Sequence, residues 1–108
     1  MAEFTMRQGD LEPALRANLV AAGGSIKNLS DAQEVRFKMG TSTGTLKVNK
    51  VIIPADAPNG LCVYEWQEGD TDTAGTFFAE FEVINANGKT ETFPNFKPFS
   101  ISIKADKL

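Results

Sequence analysis

From Gly60 to Pro94 the chain reads GLCVYEWQEGDTDTAGTFFAEFEVINANGKTETFP, and apolar and polar residues alternate through most of it. A period of two sends successive side chains to opposite faces of a strand, whereas a helix needs a period near 3.6. Phe77, Ala79, Phe81 and Val83 therefore share the inner face of a long strand. Glu80 and Glu82 point to water, with Phe78 and Ile84 on their side. Cys62, Tyr64 and Trp66 share one face of the preceding strand, with Val63 and Glu65 on the other. Asn85-Ala86-Asn87-Gly88 predicts a hairpin turn, because Asn87 and Gly88 tolerate positive φ. Thr90 and Thr92 then lead a return strand to Phe93-Pro94.

The same period recurs outside this stretch. Phe4 and Met6 share a face in the first segment. Val35, Phe37 and Met39 alternate with Glu34, Arg36 and Lys38, and Leu46, Val48 and Ile52 continue after a Gly/Thr/Ser turn. Phe99, Ile101 and Ile103 alternate with Ser100, Ser102 and Lys104. Between Asp10 and Val20 a short helix competes, since Pro13 suits an early helical position. Leu15, Ala17 and Leu19 alternate with Arg16, Asn18 and Val20, and Ala22-Gly23-Gly24 follows as a turn, so a strand is predicted there. Pro54 to Gly60 is a loop by composition. About seven or eight short strands separated by Gly, Pro, Asn and Asp turns predict an all-β, Ig-like antiparallel sandwich. The 108 residues predict one such domain, residues 1–108.

Composition removes several function classes. The net charge is -3, the pI is about 4.9, and the eleven basic residues are scattered, which argues against nucleic acid. No apolar run approaches membrane-spanning length, and Met1-Ala2-Glu3-Phe4 does not open a signal peptide. A single cysteine, Cys62, forbids an intrachain disulfide and suits a reducing compartment. The chain has no histidine, the commonest general base and metal ligand. Asp56, Ser25 and Ser30 lack a base to activate a nucleophile, and Cys62 on an inner face reads as a small buried hydrophobe. A non-enzymatic protein with no cofactor is expected.

The remaining polar features read as structural. Glu68, Asp70 and Asp72 lack the bidentate acid of a calcium loop, and Asp and Thr set turns without an ion. Glu80 and Glu82, about 7 Å apart along one strand face, are solvated surface charge and do not flank a cleft. Trp66, Tyr64 and Phe81 lie on apolar faces and are expected in the core, not as a sugar-stacking platform. Phe77 stands where many Ig-like folds place a corner tyrosine, and it has no hydroxyl to make that bond. Val63, Phe78 and Ile84 resist the core explanation, because they point away from the inner faces. Together with Phe93 and Phe96 at one end they form the expected contact surface, to which Val51 or Ile53 adds.

Tyr64-Glu65-Trp66, Gly69-Asp70-Thr71, Thr73-Ala74-Gly75, the run Ala79 to Val83 and Thr92-Phe93-Pro94-Asn95 together resemble the immunoglobulin-like module of bacteriophage tail proteins, found at the N-terminus of baseplate upper proteins. The resemblance runs from Gln8-Gly9-Asp10, through Val35-Arg36-Phe37, to Ile101-Ser102-Ile103. It implies a virion structural protein, a tail or baseplate adaptor working through protein–protein contacts. Capsid decoration, or a carbohydrate-binding host-adhesion module, is the alternative. The implied partners are other virion proteins in symmetric copies, with glycan as a further candidate, in particles assembled in the host cytoplasm. A chain running from Met1 to Leu108 is expected to act as a stand-alone module.

Overall fold

The computed structural model describes residues 3–95 and 98–105. Its strands are β1 (Glu3–Arg7), β2 (Leu15–Asn18), β3 (Glu34–Gly40), β4 (Leu46–Ile52), β5 (Leu61–Tyr64), β6 (Gly75–Ile84), β7 (Thr90–Phe93) and β8 (Phe99–Lys104). β6 organises the larger sheet. It pairs antiparallel with β3 on one side and with β8 and β7 on the other. Its alternation is the one predicted: Phe77, Ala79, Phe81 and Val83 are buried, while Phe78, Glu80, Glu82 and Ile84 are only partly covered on the outer face. The register sets Phe37 opposite Phe81, Val35 opposite Val83 and Met39 opposite Ala79, so three strongly apolar cross-strand pairs line one face. The order β1-β8-β6-β3-β4 completes the sheet, with β1 parallel to β8 and Phe4 and Met6 beside Ile101 and Ile103.

The second layer has two strands, β2 and β5, in register Leu15 to Tyr64 and Ala17 to Cys62. Leu15, Cys62 and Tyr64 face inward. Tyr64 stacks on Phe37 with ring centroids 4.3 Å apart, and Trp66 meets both rings edge-on at 5.2 and 6.0 Å. Offset and edge-to-face contacts of this kind add to the area these rings bury. The chain is thus an all-β, two-sheet Ig-like sandwich of eight strands.

The competing helix after Asp10 does not form. The helical turn among the described residues is a short 3-10 turn at Ala57–Asn59, inside the segment expected to be a loop. Gly60 ends that turn with φ 68, and a Cβ there would sit 2.5 Å from the Lys27 carbonyl oxygen. This close backbone approach lets the chain cross from the large sheet to the small one. The β6–β7 turn closes as predicted, with Gly88 N–H donating to Asn85 O, but Gly88 alone takes positive φ. Asn87 instead accepts from the Lys89 amide through its side chain.

Candidate functional site

A sandwich of six strands against two leaves free strand edges. β4 pairs only with β3, and apart from its ladder to β2 the strand β5 is bridged only at Leu61, by Asp56, so β4 and the Cys62–Tyr64 part of β5 each have one unpaired side among the described residues. These two open edges border a shallow groove of about 490 Å³ lined by Lys50, Val51, Ile53, Val63, Tyr64 and Glu65 among others. Ile53 is 88 % exposed and Val51 56 %, and Ile53 is the most exposed large apolar side chain among the described residues. Val20 and Ile26, also exposed, face each other across an isolated bridge at the far end of β2. Scattered exposed apolar residues are ordinary on a monomer; adjacent ones beside unpaired backbone are a contact surface.

The groove's electrostatics are asymmetric. Lys50 lies in register with Phe37, so it projects from the inner face of the edge strand, yet it is exposed because the small sheet stops short of it. Glu65 stands on the opposite wall. Elsewhere on the outer face of the large sheet two ion pairs form: Lys38 pairs with Glu82 at 3.2 Å and Arg36 with Glu34 at 3.1 Å. Glu82 is thus a paired surface acid, as its position on the outer face requires.

The residues expected to form a contact surface are not brought together. Phe78 and Ile84 do lie on the outer face of the large sheet, but one is inside β6 and the other at its end, and Val63 lies on β5 of the other sheet. Phe93 is buried, because its register opposite Phe81 carries it into the core. Phe96 falls outside the described residues. Among the described members of the expected set only Val63 reaches the open groove, where it is joined by Val51 and Ile53.

At one end of the groove lies a polar knot that the sequence did not announce. Tyr64 donates its phenolic hydrogen to Asp70 Oδ2 at 2.5 Å, and the same oxygen accepts from the Gln67 amide at 2.9 Å. Thr71 Oγ1 donates to the Asp10 carbonyl at 2.8 Å, and Gly9 N–H to the Thr71 carbonyl at 2.9 Å, which ties the loop to the end of β1. Asp70 and Thr71 are buried, and every bond they make is a turn or cross-link of the fold. Asp70 therefore acts structurally, as the acceptor that holds the Tyr64 hydroxyl and the Gln67 amide. Outside the knot, Asp72 is held below the usual carboxylate range by hydrogen bonds from Lys47 and then Thr73.

Burial, then the hydrogen bond to Asp70 and its charge, raises the Tyr64 phenol far above its ordinary value near 10. The folded state then resists an ionisation that the unfolded chain undergoes at about pH 10. The stability that Tyr64 contributes is full below that pH and falls as pH climbs towards the raised folded value. Burial also pushes the Cys62 thiol up to about 11, which adds to the same alkaline loss. Tyr64 is the sole tyrosine, so tyrosinate absorbance reports on it alone. On titration to high pH that absorbance is expected to rise only together with the loss of sheet circular dichroism. A tyrosinate signal at about pH 10 from a still-folded chain would refute the knot.

No family model matches the sequence, and no curated protein matches it either. The chain is similar in structure to CopC from Methylosinus trichosporium OB3b, with a TM-score of 0.59 and 13 % identity, over 100 % of this chain and 89 % of that one. At this identity the likeness carries the fold alone. It nevertheless corrects the expected family, because the protein matched is CopC and not a phage protein, and no family model supports a phage module. The phage tail resemblance, the virion adaptor role with its capsid-decoration and host-adhesion alternatives, and the virion location are withdrawn on this finding. The physical reason is plain. Inward aromatics and Gly/Asp/Asn turns are what any small sandwich requires, so they do not single out one family. The sugar platform also fails on geometry, since Tyr64, Trp66 and Phe81 are all buried.

The sequence has no histidine, Met6, Met39 and Cys62 are core residues, and among the described residues no group of three or more His, Cys, Asp or Glu converges to hold a metal ion.

Proposed function

We propose that this chain is a non-catalytic binding module that engages a partner protein through the open side of the sandwich, where the free edges of β4 and β5 meet. The observation that carries this reading is the exposure of Ile53 and Val51 beside unpaired strand edges. Burying two such side chains against a partner stabilises a complex by about 1.5–3 kcal/mol each before ordering costs. Nothing of CopC beyond its fold is carried over, because the two chains share 13 % identity.

The test is a comparison in the source cell between the tagged chain and its Val51→Lys/Ile53→Lys variant. Both sites are exposed, so the variant is expected to fold with a stability within about 0.5 kcal/mol of the parent. A specifically co-purifying protein is expected to fall at least about tenfold in the variant, the equivalent of about 1.4 kcal/mol. Equal recovery with parent and variant would remove the reading.

A further inference from the structure

Building on that proposed open-side contact, we infer that the partner is an extended segment alternating apolar and acidic residues, which adds as a further strand along the free edge of β4. Three observations converge. The first is backbone: β4 runs seven residues and is paired on one side only among the described residues. An unpaired row of N–H and C=O groups is a template for strand addition, in which backbone bonds supply affinity and alternate side chains supply selectivity.

The second is charge. From Thr41 to Ala55 the chain has no Asp or Glu, and it carries Lys47 and Lys50, although the whole chain is acidic at -3. Lys47 is already held by Asp72 at 2.5 Å, whereas Lys50 is exposed and no ion pair engages it among the described residues. An incoming strand therefore meets an unpaired cation. A second copy of this chain pairing β4 to β4 would set lysine-bearing strands against each other, and like charges on facing strands destabilise the pair. Charge thus disfavours self-association and favours an acid-bearing guest.

The third is apolar surface at the same end. Val51 and Ile53 stand exposed there, and the groove towards Val63 lies alongside. Lysines on an edge are a common guard against aggregation, and the register shift between Met39 and Gly40 guards the opposite end in the same way. A fully guarded edge would not also leave two large aliphatic side chains open. Lysine with valine and isoleucine selects one kind of guest where a guard alone would exclude all.

The probes are two blocked synthetic decapeptides, one alternating valine with glutamate and one alternating valine with lysine, each added to the full chain. Amide hydrogen exchange is read residue by residue. The glutamate peptide is expected to slow exchange at least about tenfold at amides within Leu46–Ile52, and the lysine peptide to leave them unchanged. With Lys50→Glu, a substitution at an exposed site, the preference is expected to invert. No slowing by either peptide, equal slowing by both, slowing confined to β1, β2 or β7, or slowing with rising concentration of the chain alone would each overturn the inference. If the peptides fail while Val51→Lys/Ile53→Lys still loses its co-purifying protein, strand addition falls and the open-side contact stands. If that protein is also unaffected, both fall.

Discussion

Replacing Phe37 by alanine is expected to cost about 3–5 kcal/mol of stability, the range for truncating a fully buried aromatic. Phe37 has no exposed surface, and it is the hub of the inter-sheet contact. It stacks on Tyr64 at 4.3 Å, and it touches Phe81 at 5.2 Å and Trp66 at 6.0 Å. Alanine leaves a void between the two sheets that only β2 and β5 could close by moving inward, and those strands are fixed by their own ladder. A domain of this size holds about 5–15 kcal/mol in total, so the variant loses a large share of it. At about 4–8 °C per kcal/mol, the melting temperature is expected to fall by more than about 10 °C. Phe78→Ala on the outer face is the control, with a loss well under half as large. Equal losses at the two sites would mean that the core is not where the aromatic cluster puts it.

Gly60→Val is expected to be the second most damaging change, at about 2–5 kcal/mol. About 1–2 kcal/mol of this comes from forcing a side-chain-bearing residue into the left-handed region. A further cost of about 1–3 kcal/mol comes from driving atoms into occupied space. That space is backbone: the Lys27 carbonyl oxygen lies 2.5 Å and the Leu19 carbonyl oxygen 3.0 Å from a Cβ at this position. Neither can rotate away, because Leu19 N–H donates to Gly60 O and Lys27 N–H donates to Leu19 O. Gly24→Val separates the two costs. Gly24 also has positive φ, but a Cβ there meets nothing within 4 Å, so it pays the backbone term alone. Urea denaturation of both variants reads the difference, and a Gly60 loss no larger than the Gly24 loss would contradict the close approach.

Strand content was legible where the period was long. β6 has ten residues, and its face assignment could be read residue by residue from Phe77 to Ile84. The period of two puts Trp66 on a strand face with Cys62 and Tyr64, whereas β5 ends at Tyr64 and Trp66 is held beyond it by its indole N–H on the Pro13 carbonyl at 3.2 Å. Strand ends depend on such contacts across the chain, which a local pattern does not contain. The Tyr64–Asp70 bond was missed for a similar reason. An inward tyrosine followed by a Gly-Asp-Thr loop was visible, but which way that loop folds back is decided by its anchorage to Gly9 and Asp10.

The contact surface was the least legible part. Apolar residues off the inner faces could be found by period, and Val51, Ile53 and Val63 were among them. Which of them lie together depends on strand order, and β4 becomes an edge only because β3 sits between it and β6. The sequence order of β4 and β5 carries no sign that their free sides border one groove. Phe93 failed as a surface residue because the hairpin register, set by the turn at Gly88, placed it opposite Phe81. The family resemblance failed for a different reason: it rested on inner-face aromatics and turn residues, which report the architecture and not the partner.

Site-specific photo-crosslinking in the source cell tests the proposed contact most directly. A photoreactive amino acid is placed at position 53 in one variant and at position 102, on the outer face of β8, in another. The open-side reading predicts a discrete protein adduct from position 53 and none from position 102. Adducts from 102 alone, or no adduct at 53, would contradict it.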